Sequence, residues 1–225
     1  MKVVVTAGPT REYIDPVRFL SNPSTGKMGF AVAREAARRG HRTVLVAGPV
    51  SLKTPRGVAR IDVTSAREML RAVMDEVGEA EARGETVVLV SAAAVADWRP
   101  AKTAACKLKK REMRGVLRLV RNPDILKTVP SRRGILKVGF AAETGEPVRE
   151  ALRKCRGKKL AFVVANDVTE KGSGFGVDTD RVSFVYPDGC VENLPLMPKK
   201  SVARRILDAV EALLRFATRR RDIVL

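Results

Sequence analysis

Residues 2–7, KVVVTA, form a short run of mostly β-branched residues, and the polar stretch GPTREYIDPVRFLSNPSTGK follows at residues 8–27. Residues 28–40, MGFAVAREAARRG, then place apolar side chains at helical spacing, with arginines on the opposite face. A β-branched run of this kind is typical of a strand buried in a parallel sheet, and periodic apolar residues indicate an amphipathic helix. This opening strand, loop and helix therefore predict an α/β fold.

The same alternation continues along the chain. Ser65 with Glu68 three residues later forms a capping box at the start of a second helix. The pattern predicts a single domain over residues 1–225, with a three-layer, mainly parallel, nucleotide-binding-like sheet and helices on both faces. Further strands are predicted at residues 42–50, 59–63, 85–94, 135–143 and 160–167, and further helices at 65–82, 146–157 and 199–217.

Three segments interrupt this alternation. Residues 107–120, KLKKREMRGVLRLV, predict two short basic arms around Arg114 and Gly115, as a hairpin or flap extension. NPDILKTV predicts a short helix capped by Asn122. Residues 180–194 predict a hairpin that closes the sheet.

Small or polar residues end four of the predicted strands, in the segments TAGPTRE, SAAAVADW, GFAAET and VANDV. Ligands of open α/β sheets bind beyond the carboxyl ends of the strands. We therefore expect one ligand-binding cleft at this edge of the sheet.

The composition excludes several classes of protein. The apolar runs are too short for a membrane span or a signal peptide, and three widely spaced cysteines indicate neither a disulfide framework nor a zinc site, which favours a cytoplasmic protein. The net charge of +18 raises nucleic-acid binding as an alternative. With only 4% aromatic residues, and with basic residues spread over several helices, we favour no nucleic-acid partner.

The stretch SNPSTGKMG at residues 21–29 contains the Gly-Lys pair of a nucleoside-triphosphate loop. Such a loop needs G-x-x-x-x-G-K-[ST], but serine replaces the first glycine and Met28 replaces the hydroxyl that binds Mg²⁺. Because a helix N-terminus binds anions, Ser24, Thr25 and Gly26 remain candidate phosphate ligands, for a substrate or a nucleotide. An ordinary helix start is the alternative.

Other enzyme classes are also disfavoured. No G-x-G-x-x-G follows the first strand, which argues against a dinucleotide site, and the only histidine, His41, argues against a hydrolytic triad. Lysine, arginine, asparagine and aspartate remain near the strand ends. These residue types bind phosphates and stabilise developing charge by position and electrostatics.

Several ordered motifs resemble the phosphopantothenate–cysteine ligase family (phosphopantothenoylcysteine synthetase), of the CTP-dependent type. The resemblance runs from about Lys2 to about Ala212 and includes the segments GPTREYIDPVRFLSNPSTGKMGFAVA, AAAVADW, KLKK, NPDIL, GFAAET, ANDV and GFGVDTDRV. It implies a homodimeric enzyme of coenzyme A biosynthesis. In the implied reaction, phosphopantothenate attacks the α-phosphate of CTP, with Mg²⁺, and releases pyrophosphate. The amine of L-cysteine then attacks the acyl-cytidylate and releases CMP.

The resemblance also implies site residues. Asn22 would convert the acyl-cytidylate, and Arg18 would donate to phosphate or carboxylate, unless either merely supports the loop. Lys107 would reach the triphosphate from the flap, and Asp97 is the candidate Mg²⁺ ligand. The residues implied to contact the nucleotide are Ser91, Ala92, Ala93, Asp97, Lys107, Pro123, Asp124, Ile125, Leu126, Phe140, Lys154 and Lys158.

Alternatives stay open within and beyond this family. Eukaryotic relatives use ATP, so an ATP-dependent form of the same ligase is the first alternative. An inactive relative acting as a scaffold is disfavoured because all the expected polar positions are present. In most bacteria a flavin-dependent decarboxylase precedes this domain in one chain. Here we expect it to be a separate protein or to lie outside this sequence, so that no flavin binds this chain.

Overall fold

The computed structural model describes residues 1–112 and 115–222. Its strands, in chain order, are β1 (Lys2–Ala7), β2 (Arg11–Tyr13), β3 (Phe19–Ser21), β4 (Arg42–Ala47), β5 (Val58–Asp62), β6 (Val87–Ser91), β7 (Trp98–Pro100), β8 (Leu119–Arg121), β9 (Ile135–Glu143), β10 (Phe162–Asp167), β11 (Thr179–Asp180), β12 (Ser183–Val185), β13 (Val191–Asn193) and β14 (Met197–Pro198). Its α-helices are α1 (Lys27–Arg38), α2 (Ala66–Ala82), α3 (Ile125–Thr128), α4 (Pro147–Gly157) and α5 (Lys199–Asp222).

The central sheet confirms the predicted α/β class. Its strand order is β13-β12-β10-β9-β6-β1-β4-β5. The strands from β10 to β5 run parallel, and the predicted closing hairpin, β12 and β13, adds an antiparallel edge. Helices cover both faces, as the alternation predicted.

Strand β1 lies inside the sheet, and all of its residues are buried. Alternate side chains of a strand point to opposite faces, so Val3 and Val5 join the core under α1 and α5, whereas Val4 joins the core under α2 and α4. Burial of these apolar side chains on both faces explains why this run of valines forms a strand rather than a surface element.

Helix α1 packs unusually close to β1 because of Gly29. A β-carbon at this position would lie 2.5 Å from the β-carbon of Ala7 and 2.9 Å from the carbonyl oxygen of Thr6. Gly26 caps the helix with φ of 79°, a conformation that glycine adopts without strain. These two glycines place the N-terminus of α1 beside the carboxyl end of β1.

The strand order places a topological switch point between β1 and β6. The chain leaves β1 through α1 toward β4 on one side, whereas it continues from β6 to β9 on the other side. Because β1 and β6 are neighbours, their carboxyl ends open a crevice of the kind in which α/β proteins bind ligands.

Of the two predicted alternatives, hairpin or flap, the described residues agree with the flap. Strand β8 pairs with β7, and the flap is the connection between residues 101 and 118 that joins these two strands. The predicted turn at Arg114 and Gly115 lies partly outside the described residues. The pattern missed β7, because Trp98–Pro100 is short and ends in proline.

The cap of α3 also differs from the prediction. Asp124, not Asn122, caps this helix, because the Asp124 carboxylate accepts a hydrogen bond from the Lys127 N–H at 3.1 Å. The Asn122 side chain instead donates to the Ala96 carbonyl oxygen at 2.8 Å.

In the described ranges, no helix is both long and apolar enough to cross a membrane.

Candidate functional site

Two adjoining cavities occupy the predicted edge of the sheet. The first has a volume of about 440 Å³ and the second of about 360 Å³. Both are lined by Ala93, Val95, Asp97, Phe140 and Lys154, which therefore form a shared wall. The small residues that follow β6 leave this space open beside the switch point.

The first cavity collects most of the residues predicted to contact a nucleotide. The Lys158 ammonium forms an ion pair with the Asp124 carboxylate at 2.7 Å. Burial is the largest single influence on Asp124 and raises its pKa, but the hydrogen bond and charge of Lys158, together with the Lys127 N–H and charge, outweigh burial and lower the pKa of this carboxyl below its usual value. The predicted residues that line this cavity are Ser91, Ala93, Asp97, Pro123, Asp124, Ile125, Leu126, Phe140, Lys154 and Lys158.

Lys154 lies where the two cavities meet. It lies in the last turn of α4, four residues before the C-cap residue Lys158, and its ammonium donates to the carbonyl oxygen of Phe140. Burial, with a further contribution from the charge of Lys158, lowers the pKa of Lys154 below its usual value. One carbonyl satisfies only one of its three N–H donors, so the others are available to an anion in either cavity.

The loop after β6 is held in place by threonines of the β1 segment. Ala93 N–H donates to the Thr6 hydroxyl at 3.2 Å, and Ala96 N–H donates to the Thr10 hydroxyl at 3.0 Å. Both threonines are completely buried. The backbone of the shared wall is therefore tied to the sheet before any ligand binds.

The second cavity contains Asn22 and the N-terminus of α1. The Asn22 amide donates to the Ala94 carbonyl oxygen at 2.9 Å, which leaves its second N–H for a ligand. Ser24, Thr25 and Gly26 line the same cavity at the start of the helix. The structure thus brings the candidate phosphate ligands next to Asn22, and Ala92 also borders this cavity.

Arg18 and Lys107 line neither cavity. The Arg18 guanidinium pairs with the buried Asp15 carboxylate and donates to the Leu108 carbonyl oxygen at 2.9 Å. The hydrogen bond from Arg18 holds the pKa of Asp15 well below its usual range. In this structure Arg18 therefore holds the flap at Leu108, directly beside the exposed Lys107.

Lys27, the lysine of the Gly-Lys pair, contacts another loop through its ammonium group. Its ammonium donates to the Gly176 carbonyl oxygen at 2.8 Å and pairs with Asp178 at 2.8 Å. This arrangement agrees with the interpretation that residues 21–29 do not form a nucleoside-triphosphate loop of the Gly-Lys-Ser/Thr type.

Sequence reasoning missed several cavity residues. Trp98 and Arg121 line the first cavity, with the guanidinium 5.4 Å from the ring centroid. Phe175 and Lys199 line the second. The glycines around Phe175 were a usable signal of an irregular loop. The sequence carried no such signal for Lys199, because a buried lysine in a basic stretch cannot be distinguished from an exposed one by sequence.

Buried Lys137 holds the end of α3, the helix that lines part of the first cavity. Its ammonium donates to the carbonyl oxygens of Leu126 at 2.8 Å and Val129 at 3.1 Å, and to the Ser131 hydroxyl at 2.7 Å. These contacts lock the end of α3, which carries two of the predicted nucleotide residues. The strand pattern could not reveal the role of this lysine, because a single lysine among the apolar residues of β9 does not show what its ammonium contacts.

The residues present fit Mg²⁺ only as an ion that a nucleotide carries. In the part of the chain that the structure describes, no group of three or more His, Cys, Asp or Glu side chains could hold a metal. Mg²⁺ at nucleotide sites commonly takes one or two carboxylates and completes its shell with phosphates and water. Asp97, the candidate Mg²⁺ ligand, borders both cavities, whereas Asp124 lines only the first and Asp180 only the second.

Comparisons with known proteins agree with this architecture. The family described as "DNA/pantothenate metabolism flavoprotein C-terminal domain" matches residues 1–214. The coenzyme A biosynthesis bifunctional protein CoaBC of Bacillus subtilis (strain 168) is 44% identical over 213 residues, which cover 94% of this chain and 51% of that protein. The CoaBC protein of Escherichia coli (strain K12) is 41% identical over 215 residues, which cover 93% of this chain and 51% of that protein. The chain thus spans about half the length of these curated relatives.

A solved structure extends the likeness to three dimensions. The crystal structure of the C-terminal domain of a CoaBC protein has a TM-score of 0.77 and 39% identity, and the match covers 95% of both chains. The family model matches residues 1–214, and both CoaBC relatives are more than 40% identical to this chain over most of the chain's length. The chain therefore belongs to the DNA/pantothenate metabolism flavoprotein C-terminal domain family, as its ordered motifs indicated.

Proposed function

We propose that this chain is a phosphopantothenate–cysteine ligase of coenzyme A biosynthesis that uses CTP and forms an acyl-cytidylate. One observation carries the proposal, namely the two cavities that share a wall at the switch point. An enzyme that activates a carboxylate with a nucleotide must hold the α-phosphate and the carboxylate side by side. The name of the CoaBC relatives supports the pathway.

In the first step, the cytidine occupies the first cavity and the triphosphate extends past Lys154 toward Gly26. The N–H groups that begin α1 favour negative charge there. Asp97 would hold the Mg²⁺ that accompanies the triphosphate, and this ion would supply positive charge against the phosphates. Lys154 stabilises the charge that develops as the carboxylate attacks the α-phosphate and pyrophosphate leaves.

In the second step, the amine of cysteine forms a bond to the acyl carbon, and the bond from that carbon to the phosphate oxygen of CMP breaks. Negative charge accumulates on the acyl oxygen before CMP leaves. Asn22 donates its second N–H to this oxygen, while its hydrogen bond to Ala94 keeps the amide in place. No covalent intermediate with the protein is needed.

We also propose a homodimer in a reducing cytoplasm. Large exposed apolar side chains on the ladders β2–β3 and β7–β8 support self-association, among them Phe19, Trp98 and Leu119. The three free cysteines support a reducing compartment. The flavin-dependent decarboxylation is assigned to another chain or segment.

The proposed reaction is tested by supplying phosphopantothenate and cysteine with CTP or with ATP. We expect pyrophosphate release that depends on phosphopantothenate, with kcat/KM at least about tenfold higher for CTP than for ATP. Equal turnover with ATP would refute the CTP preference alone. Failure to release pyrophosphate with either nucleotide would refute the ligase.

Lys107→Gln is expected to slow the first step about tenfold to hundredfold, because the resemblance assigns this flap lysine to the triphosphate and glutamine removes its charge. Phosphopantothenate-dependent pyrophosphate release measures the effect. Lys110→Gln is the matched control, since this lysine is exposed on the same flap and has no implied role. Undiminished pyrophosphate release by the Lys107 variant would show that Lys107 is not part of the site.

A further inference from the structure

A glycine-rich loop, residues 172–180, forms the outer wall of the second cavity. Phe175 lines that cavity although 41% of the residue is exposed to solvent. Gly172, Gly174 and Gly176 have φ values of 84°, 89° and 78°. The backbone at these three glycines cannot continue a helix or a strand, so the position of the loop depends on its last two residues, which form β11 and pair with β14, and on side-chain contacts from outside the loop.

The ammonium group of Lys199 lies inside this loop. It donates to three backbone carbonyl oxygens, those of Gly174 at 2.8 Å, Val177 at 2.9 Å and Thr179 at 2.9 Å. The Asp180 carboxylate lies 3.4 Å away, and Lys199 is only 7% exposed. All three ammonium donors are therefore used on one loop.

Asp180 connects this oxygen cage to the sheet. Its carboxylate accepts hydrogen bonds from the Ser173 hydroxyl at 2.6 Å, the Asn166 amide at 3.0 Å and the Gly174 N–H at 3.1 Å. Asn166 lies in β10, so the loop is tied to the same sheet edge that carries the cavities. These bonds keep the oxygen atoms near one another independently of the lysine.

Lys27 provides a second tether, but a weaker one. Its ion pair joins Asp178, whose side chain is 87% exposed. Exposed ion pairs contribute little stability, whereas breaking the contacts of a buried ammonium leaves several polar groups unsatisfied. Lys199 is therefore the contact expected to hold the loop.

We propose that Lys199 is a positioning residue of the ligase, whose ammonium acts as a built-in monovalent cation and holds residues 172–180 as the wall of the second cavity. The inference rests on the proposed function only where it concerns catalysis. The position of the loop is measurable without any substrate. Truncation of the side chain would leave a cage of carbonyl and carboxylate oxygens, which a small alkylammonium ion with N–H donors can refill.

Lys199→Ala tests this role, with Lys200→Ala as the matched control because Lys200 is the exposed neighbour on the same helix. We expect the Lys199 variant to lose pyrophosphate release about tenfold to hundredfold, and trypsin to cleave after Lys171 or Arg181 faster than in the control. Propylammonium, which replaces the deleted atoms, is expected to restore both protection and activity. Tetramethylammonium at the same concentration is not, because it cannot donate a hydrogen bond.

Lys199→Met guards against simple loss of folding, because it retains the apolar stem. It is expected to stay folded by circular dichroism and to show the same loop cleavage, without rescue by propylammonium. Unchanged loop cleavage in both variants, or equal responses to the two salts, would overturn the proposal. If propylammonium protects the loop of Lys199→Ala but the unsubstituted protein has no ligase activity, the role of Lys199 in the loop is supported and the proposed function is refuted.

Discussion

Asn22→Asp is expected to stop the reaction after the first step, with pyrophosphate still released and the acyl-cytidylate accumulating. Amide formation should fall about 10²- to 10³-fold, the usual effect of losing one donor to a developing oxyanion. The physical reason is that aspartate cannot donate to the Ala94 carbonyl oxygen or to the acyl oxygen. Its negative charge also opposes the charge that forms during attack by cysteine.

The two half-reactions must be measured separately. Rapid quenching followed by mass spectrometry detects the acyl-cytidylate, and the same samples report the cysteine amide. Asn193→Asp is the matched control, because this asparagine is exposed on the distant hairpin β12–β13. Amide formation at the wild-type rate by the Asn22 variant would exclude it as the donor.

Lys154→Gln is expected to lower both CTP affinity and the rate of pyrophosphate release. A hydrogen bond that involves a charged group contributes about 1.5–3 kcal/mol, which corresponds to a loss of roughly 10- to 150-fold. Glutamine can keep the hydrogen bond to the Phe140 carbonyl oxygen, so the loss would report the missing charge. Because burial lowers the pKa of Lys154, wild-type activity should decline at a lower alkaline pH than an exposed lysine would give.

Calorimetric titration with CTP separates binding from turnover in this variant. Lys53→Gln serves as the control, since it removes the same charge from an exposed position outside both cavities. An unchanged CTP affinity together with an unchanged rate would show that Lys154 does not face the phosphates. A loss of CTP affinity equal to that of Lys53→Gln would show that the effect comes from the change in net charge alone.

Much of the fold was predictable from local pattern. Buried parallel strands need continuous apolar runs, and ILKVGFAAE matches β9 residue for residue. The capping residue Ser65 was also predicted correctly, because a side chain that caps a helix acts over only three residues. The small ladders β2–β3 and β7–β8 were missed, since strands of three residues carry no usable period.

The candidate site was predictable where chemistry followed a strand end. Strand direction places Asp97 and Phe140 at one edge, whereas only the family resemblance singled out Asn22, and the structure brings all three to two adjoining cavities. Arg18 was harder, because its guanidinium suits a buried carboxylate as well as a phosphate. In the structure the guanidinium pairs with Asp15, three residues earlier, and this contact exists only once the turn between β2 and β3 is formed.

Local information thus sufficed for the strands of the central sheet, for the helices and for the sheet edge that holds the two cavities, because hydrophobic period and strand direction are properties of short segments. The roles of individual lysines depended on the folded chain. Lys137 and Lys199 are buried among carbonyl oxygens, Lys154 faces two cavities, and Lys200 is exposed, although all four are the same residue type. Burial and hydrogen-bond partners of a charge come from residues distant in sequence, and they exist only after those residues have been packed together.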